Sequence, residues 1–293
     1  MAAPNEIEAM RQAVAVSALG LGTTSPNPPV GCVILDRNGH QVGAGYHQRK
    51  GEPHAEAHAL VAAGSRAQGG TAVVTLEPCN HVGVTPACRQ LLLDAEISRV
   101  VIAIIDPTSR DEGGAAVLKA AGIDVEVGLL ADEALLVLGP WLTATARQRP
   151  WVTWAYSTPS NTGDSVDLTV VSDLREQADI VVGADGRIAE GIPGGHGKDK
   201  LHYPVTLDLA DPIASLTQLY RGGIRTVLVA EDAPVARALL ASGAIDQAVI
   251  DLARDQADIA AEVRSAPVLL PGFRVQTIAT TPGAVRVVVR RST

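Results

Sequence analysis

Short apolar runs rich in Val and Ile alternate with helix-like stretches, and this alternation limits the possible folds more than any other feature of the sequence. In the first half the pattern predicts strands at Val30–Leu35, Val42–Tyr46, Thr71–Leu76 and Val100–Ile105. It predicts helices around them at Ile7–Leu19, Ala55–Ala63, Pro86–Ala95 and Ala115–Ala121. Strands that alternate with helices indicate an α/β domain whose sheet is largely covered by helices.

The second half has the same alternation and predicts a further α/β domain. Strands are expected at Val152–Tyr156, Ile180–Val182, Val205–Leu209 and Thr226–Ala230, with a closing hairpin over Phe273–Thr280 and Ala284–Arg290. Helices are expected at Ser215–Tyr220 and Pro234–Ala241. A polar, basic stretch at Thr143–Pro150 separates the halves, and 293 residues exceed the size of one typical domain. We therefore expect two domains, residues 1–147 and 148–293.

The charge balance and the distribution of apolar residues exclude several classes of partner. Lys and Arg number 24 against 32 Asp and Glu, and the resulting net charge of −8 disfavours a phosphate backbone as partner. No apolar run approaches the roughly 20 residues that span a bilayer, and the first residues lack the pattern of a secretory signal. The three cysteines need not pair in a reducing compartment. We expect a cytoplasmic protein that binds neither nucleic acid nor membrane.

Two short motifs contain potential zinc ligands. His54 and Glu56 form a His-x-Glu motif at a predicted helix start, and Cys79 follows a proline after a predicted strand. Cys88 follows, with eight residues between it and Cys79. One imidazole and two thiolates leave the fourth position of a tetrahedral zinc ion open, which is typical of catalytic rather than structural sites. Zinc lowers the pKa of a bound water toward about 7, and hydrolytic deamination also needs a carboxylate that carries protons. The motifs predict a zinc-dependent deaminase with His54, Cys79 and Cys88 as ligands and Glu56 as the proton shuttle.

Other interpretations of these residues fit less well. The zinc-protease helix needs Glu directly after its first His, and Ala55 stands there, which excludes a protease site on His54 and His58. A scaffold with an unused or purely structural zinc would not need Glu56. Cys32 lies inside an apolar strand and is predicted to be a core residue. Residues two apart on a helix point in different directions, so periodicity alone does not bring His54 and Glu56 together.

The spacing and its surroundings resemble one deaminase family. Nucleoside and editing deaminases place two residues between their cysteines, whereas this chain has eight. That gap and its neighbouring segments resemble the deaminase domain of the bifunctional riboflavin biosynthesis family known as RibD or RibG. The segments that carry the resemblance are Pro26–Gly31, Gly45–Gln48, Gly51–Glu56, Thr75–His81, Thr85–Cys88 and Asp106–Pro107, within about residues 8–145.

The resemblance implies a cytidine-deaminase-like three-layer α/β/α domain. Its expected reaction is deamination of a diaminopyrimidinone that carries a ribosylamino 5-phosphate, with Asn27, His47, His81 and Asp106 lining the substrate pocket. Two positions depart from the family pattern: Val84 stands where Lys or Arg is usual, and Thr108 where Asn is usual. Because a cation and an amide would hold phosphate and ribose groups, we expect weaker phosphate recognition or a modified substrate.

The same resemblance implies a second domain with a dihydrofolate-reductase-like α/β fold that uses NADPH. Segments 149–153, 174–183 and 240–246 keep the family pattern, but the motifs expected to do chemistry are altered. Pro159 and Asn161 replace an expected Ser and Asp, and Asp185 and Asp232 replace glycines. Carboxylates at such turns repel a pyrophosphate, which argues against ordinary NADPH binding. We expect a degenerate domain without reductase activity.

Two alternatives remain open at this stage. The chain could be bifunctional, with both a deaminase and an NADPH-dependent reductase for 5-amino-6-(5-phosphoribosylamino)uracil. It could also be a deaminase for a different aminopyrimidine or nucleoside. The family resemblance further implies a homodimer.

Overall fold

The computed structural model describes residues 2–80, 87–109, 112–157, 169–197, 201–230, 234–253, 270, 272–281 and 284–292. The chain divides into two compact units. The first contains Met1–Leu142 and His196–Asp199, and the second contains Thr143–Gly195 and Lys200–Thr293. No helix in the described ranges is both long and apolar enough to cross a membrane.

The first unit is a five-stranded sheet with helices on both faces. Its elements are α1 (Pro4–Ser17), β1 (Gly31–Leu35), β2 (Gln41–Tyr46), α2 (Ala55–Ala63), β3 (Thr71–Leu76), α3 (Cys88–Asp94), β4 (Arg99–Ile104), α4 (Gly113–Ala120), β5 (Asp124–Val127) and α5 (Ala131–Arg147). The strand order is β2-β1-β3-β4-β5. β1 is antiparallel to both its neighbours, whereas β3, β4 and β5 are parallel.

Alternating side chains of β1 divide the core of this unit into two layers. Cys32 and Ile34 pack with the apolar sides of α2, α3 and α4, while Val33 and Leu35 pack with α1 and α5. This alternation follows from the two-residue period of a strand. Cys32 is fully buried, as predicted, and burial raises the pKa of its thiol. The loop after β3 and the first residue of α3 lie beside the start of α2, where Cys79 and Cys88 come close to His54.

Glycines let α2 lie directly on β2. A Cβ atom on Gly43 would lie 2.2 Å from the carbonyl oxygen of Ala59, and one on Gly45 would lie 2.6 Å from the Ala59 nitrogen. Both distances are far below van der Waals contact, so no larger residue fits without moving the helix. The close contact fixes α2, and with it the residues at the start of the helix.

The second unit is built on a seven-stranded mixed sheet. Its elements are β6 (Trp151–Ser157), α6 (Thr169–Arg175), β7 (Ile180–Val182), β8 (Ile188–Glu190), α7 (Pro212–Arg221), β9 (Thr226–Ala230), α8 (Pro234–Ala241), β10 (Gln247–Ala253), β11 (Phe273–Thr281) and β12 (Ala284–Arg291). The strand order is β11-β12-β10-β6-β9-β7-β8. β11 and β12 pair as the predicted closing hairpin.

The fold differs from the sequence prediction in several elements, among them β5, α6, β8 and β10, which were not predicted. The predicted strand Val205–Leu209 is wrong: only Thr206 forms a bridge, to Arg187, and Val205 is exposed rather than packed. The sequence analysis also assigned no helix to Ala131–Leu142, which lies in α5. A Gly139-Pro140 pair interrupts that helical pattern, yet the helix continues through it.

Candidate active site

His54 and Glu56 lie at the start of α2 in different backbone conformations. His54 is the residue before the first helical turn and has an extended backbone, with φ −75° and ψ 170°. Because His54 is outside the helix, the divergence expected at helical spacing does not apply to this pair. Glu56 lies in the first turn, is 3% exposed, and interaction with the Cys88 side chain is among the influences on the pKa of its carboxyl group. The helix start therefore brings both residues to one place.

The two cysteines come from the loop after β3 and from the first residue of α3. The backbone N–H of Cys88 donates to Sγ of Cys79 at 3.2 Å, and Nδ1 of His54 lies 3.3 Å from Sγ of Cys88. One ligand atom from each of His54, Cys79 and Cys88 lies within 4.8 Å of the other two. Zinc–sulfur bonds of about 2.3 Å and zinc–nitrogen bonds of about 2.0 Å in tetrahedral geometry require comparable separations. The donor set and its spacing fit a zinc ion.

Hydrogen bonds divide the charge between the two thiols. The bond from the Cys88 side chain, aided by His54 and the Cys88 backbone N–H, lowers the pKa of Cys79 despite burial. The bond to Cys79 and burial together raise the pKa of Cys88. The bond to Cys79 also raises the pKa of His54. A lowered pKa of Cys79 favours the thiolate, the form in which cysteine binds metal.

Burial governs the ionisation of Glu56. Loss of solvent raises the pKa of its carboxyl group, His54 opposes that effect, and the charge on Cys79 adds to it. A carboxyl group with a raised pKa exchanges protons more readily near neutral pH than an ordinary glutamate does. Such a group beside three metal ligands is able to accept and return a proton.

His47 contacts the cluster and also holds Asn27. Its ring packs edge-on against His54, with centroids 5.0 Å apart. Nδ1 lies 3.2 Å from the carbonyl oxygen of Pro53, and Nε2 lies 3.2 Å from Nδ2 of Asn27. A carbonyl only accepts, so Nδ1 carries the hydrogen and Nε2 accepts from the Asn27 amide. Burial lowers the pKa of His47 to about 4, consistent with this neutral form.

Asp106 is held by a turn of its own, two residues beyond β4. Its Oδ1 accepts hydrogen bonds from both the backbone N–H and the hydroxyl of Thr108, each at 2.7 Å. Its backbone N–H donates to Oε2 of Glu77 at 3.2 Å. Thr108, which departs from the family pattern, therefore orients the carboxylate of Asp106.

Only some of the predicted site residues lie close together in the structure. It brings His54, Glu56, Cys79, Cys88 and His47 into contact, with Asn27 attached through His47, whereas Asp106 is bonded to Thr108 and Glu77. His81 and Val84 lie outside the described residues. Glu77 was not predicted to have a role, although a carboxylate at the end of a buried strand, two residues before the potential metal ligand Cys79, is an unusual feature.

Comparisons with known proteins agree with this site. Residues 4–104 match the family model described as the cytidine and deoxycytidylate deaminase zinc-binding region. A diaminohydroxyphosphoribosylamino-pyrimidine deaminase from Buchnera aphidicola is 52% identical over 131 residues, which are 44% of this chain and 88% of that protein. The riboflavin biosynthesis protein RibD from Mycobacterium tuberculosis is 47% identical over 154 residues, 52% of this chain but only 45% of that protein.

A solved structure matches almost the whole chain. It is a diaminohydroxyphosphoribosylaminopyrimidine deaminase/5-amino-6-(5-phosphoribosylamino)uracil reductase from Thermotoga maritima. The match covers 98% of this chain and 99% of that one, with a TM-score of 0.78 and 23% sequence identity. At this identity the likeness shows the fold: a cytidine-deaminase-like domain followed by a second α/β domain, as expected from the sequence.

Proposed function

The chain belongs to the diaminohydroxyphosphoribosylaminopyrimidine deaminase family, and we propose that it performs the deamination step without the reductase step. It is a zinc-dependent pyrimidine deaminase. The proposed substrate is the diaminohydroxyphosphoribosylaminopyrimidine named in its relatives, and the products are the corresponding uracil derivative and ammonia. The observation that carries this proposal is the juxtaposition of His54, Cys79 and Cys88 as three potential metal ligands with the buried carboxyl group of Glu56, two residues from His54.

His54, Cys79 and Cys88 would hold the zinc ion, and Glu56 would move the protons. When bound there, zinc lowers the pKa of a water molecule toward about 7. Glu56 takes a proton from the attacking water and delivers it to the amino group that leaves as ammonia. Its burial keeps bulk water away from this transfer, and its raised pKa suits both acceptance and release. The chain therefore supplies both a metal site and a proton carrier.

Asn27 and Asp106 are the proposed substrate-orienting groups. His47 accepts a hydrogen bond from Nδ2 of Asn27, which fixes the direction of the amide and points its oxygen away from the histidine. Thr108 bonds to Oδ1 of Asp106, and no hydrogen bond joins Oδ2 to the residues that the structure describes, so we propose Oδ2 as the atom that meets a ligand. Preoriented groups lose little freedom when a substrate binds. The family's His81 position belongs to this proposed pocket by resemblance alone.

In the part of the second domain (proposed as residues 148–293) that the structure describes, the turn at residues 183–187 lacks the features expected of a dinucleotide site, whereas Pro159, Asn161 and Asp232 lie outside the described residues. In the turn between β7 and β8, the N–H groups of Gly183 and Gly186 already bond to Arg187 and Gly183 carbonyl oxygens. Oδ1 of Asp185 accepts the backbone N–H of Arg187 at 3.0 Å. Amides that are already bonded, beside a carboxylate, do not cradle a pyrophosphate. The Buchnera deaminase also supports a separate deamination step, because 131 aligned residues make up 88% of it.

The free thiols and the net charge of −8 support the proposed compartment and partners of the enzyme. Cys32, Cys79 and Cys88 are all free, and the metal ligands among them must stay reduced to bind zinc. We therefore propose a cytoplasmic enzyme with a small-molecule substrate, no nucleic-acid partner and, as in the family resemblance, a homodimeric state. Light scattering on the purified protein tests the homodimer directly.

A Glu56→Gln substitution tests the proposed chemistry. Glutamine has the same shape but cannot carry the proton, so kcat for ammonia release falls by about 10²–10⁴-fold while bound zinc stays at one per chain. Glu52→Gln is the matched control, because Glu52 is a partly exposed glutamate in the preceding loop. It should keep wild-type kcat. Full activity in the Glu56 variant, or loss of zinc from it, would refute the proposed role.

A further inference from the structure

Glu77 makes more hydrogen bonds than a residue at the end of a strand needs. It follows β3 directly, lies two residues before Cys79 and is 5% exposed. Oε1 accepts the backbone N–H of Ala115 at 2.9 Å. Oε2 accepts the backbone N–H of Asp106 at 3.2 Å and the hydroxyl of Ser109 at 2.8 Å. One buried carboxylate thus links the segment after β3 to the turn at residues 106–109 and to the start of α4.

The first oxygen of Glu77 closes the start of α4. The first amides of a helix have no partners within the helix, and Glu112, the residue before α4, makes no side-chain cap. Glu77 supplies that missing acceptor at Ala115. A Cβ on Gly113 would lie 2.5 Å from Oε1 of Glu77, and one on Gly114 would lie 1.9 Å from the carbonyl oxygen of Pro78. The start of α4 is therefore fitted against residues 77–78, with glycines where the two segments touch.

The second oxygen of Glu77 holds the turn that carries Asp106. The carboxylate binds that turn at Asp106 and Ser109, and Thr108 binds the Asp106 side chain within the turn. Hydrogen bonds to a charged acceptor are stronger than those between neutral groups. The position of Asp106 therefore depends on a residue in the segment that leads to the zinc ligand Cys79.

We propose that Glu77 is a positioning residue of the active site, which fixes Asp106 relative to the metal-binding loop and so sets the affinity for substrate. This inference rests on the proposed function, in which Asp106 orients the substrate. A purely structural Glu77 would affect stability alone. A residue that positions Asp106 affects KM as well.

A Glu77→Gln substitution separates these two roles. The amide oxygen can replace one carboxylate oxygen, but the amide NH₂ cannot accept a hydrogen bond from a backbone N–H. If the amide oxygen keeps the bond to Ala115, the NH₂ faces the N–H of Asp106 and the turn loosens. We expect KM for the diaminopyrimidine to rise about ten-fold, with kcat and zinc content within about two-fold of wild type. Glu77→Asp keeps the charge and should recover part of the affinity.

Glu6→Gln is the matched control for this experiment. Glu6 is also a buried glutamate, and it accepts hydrogen bonds from the backbone N–H of Ala3 and from the Arg99 side chain. Its loss should lower the melting temperature without changing KM. The proposal is overturned if the Glu77 variant behaves in the same way, or if it loses zinc and kcat while KM is unchanged.

A measurement without substrate keeps this test separate from the proposed function. Hydrogen exchange followed by mass spectrometry reports the protection of amides in residues 105–115. In Glu77→Gln these amides should exchange faster than in wild type, while the rest of the first unit is unchanged. Unchanged exchange refutes the positioning role. Wild-type protein that releases no ammonia from the diaminopyrimidine refutes the proposed function instead.

Discussion

Replacement of Gly45 in β2 by alanine should damage the active site by displacing α2. A Cβ on Gly45 would lie 2.6 Å from the Ala59 nitrogen, 2.6 Å from Cβ of His58 and 2.7 Å from the Ala55 carbonyl oxygen. All three atoms belong to α2, and two of them are backbone atoms that cannot rotate away. The new methyl group therefore has to push the helix.

The distances give the size of the displacement. Ordinary contact begins at 3.4 Å, so α2 must retreat by about 0.8 Å at this position. Overpacking of this kind costs about 1–3 kcal/mol of the free energy of unfolding. For a unit of this size that corresponds to a fall in melting temperature of roughly 3–9 °C. Because α2 begins with His54 and Glu56, a shift of about 1 Å should also reduce kcat by about 10²-fold.

Gly139→Ala provides a control with the same chemical change. Gly139 lies within α5, and a Cβ there meets nothing within 4 Å. Alanine favours a helix over glycine by about 0.5–1 kcal/mol, whereas the following Pro140 disfavours a helical residue with a Cβ before it, so the two effects oppose each other and this variant should stay within about 1 kcal/mol of wild-type stability and be fully active. Calorimetry and the ammonia-release assay measure both effects. A Gly45→Ala protein with wild-type melting temperature and kcat would refute the packing argument.

Three further predictions concern stability. Burial raises the pKa of Glu6, but the bonds of its carboxylate to Arg99 and Ala3 outweigh burial and lower that pKa below 4.5, so the stability that Glu6 contributes is present above pH 4.5 and is lost as the pH falls through the lowered pKa. The difference in melting temperature between wild type and Glu6→Gln should therefore shrink in acid, and a constant difference would contradict this. Asp246 is buried and accepts hydrogen bonds from Arg147, Arg149 and the Val152 N–H, so Asp246→Ala should lower the free energy of unfolding in denaturant by about 3–5 kcal/mol. Asp185→Ala, at an exposed aspartate, should lower it by about 0–1 kcal/mol, and equal effects of the two substitutions would refute the buried network. Removal of zinc by a chelator should lower the melting temperature of the first unit, and added zinc should restore it, because a ligand that binds only the folded state stabilises it.

The sequence predicted the elements whose side chains follow a clear period. The strands at Thr71–Leu76, Ile180–Val182 and Thr226–Ala230 agree with the prediction to the residue, because each is a buried apolar run between polar or glycine-containing segments. Val205–Leu209 failed because its alternation does not lead to strand pairing: Leu207 is buried and Leu209 partly buried, but among the described residues the segment makes only the Thr206–Arg187 bridge and Val205 is exposed. α5 was missed because Gly and Pro usually end a helix, whereas burial of Leu138 and Trp141 holds this one together.

The sequence motifs nominate the residues of the candidate site but do not give their geometry. The motifs identified His54, Glu56, Cys79 and Cys88, since the chemistry needs those residue types. Their convergence depends on the extended backbone of His54, which a helical period does not describe. The contacts of Glu77 with Ala115, Asp106 and Ser109 join segments about 30 to 40 positions apart, and only the folded chain brings them together.

The structure shows the contacts of Thr108, one of the two departures from the family pattern. Thr108 replaces an expected Asn, yet its backbone N–H and hydroxyl both bind Asp106. The substitution therefore keeps the orientation of the carboxylate while it removes an amide that could reach a substrate. A comparison of KM for the phosphorylated and dephosphorylated substrates measures the expected loss of phosphate recognition. A strong preference for the phosphate would refute that expectation.

The central claim is that this chain deaminates the diaminopyrimidine and does not reduce the product. The most direct measurement supplies zinc-loaded protein with the ribosylamino phosphate substrate and NADPH, and follows ammonia release and NADPH absorbance together. We expect ammonia release with no consumption of NADPH. Oxidation of one NADPH for each ammonia released would contradict it and establish a bifunctional enzyme.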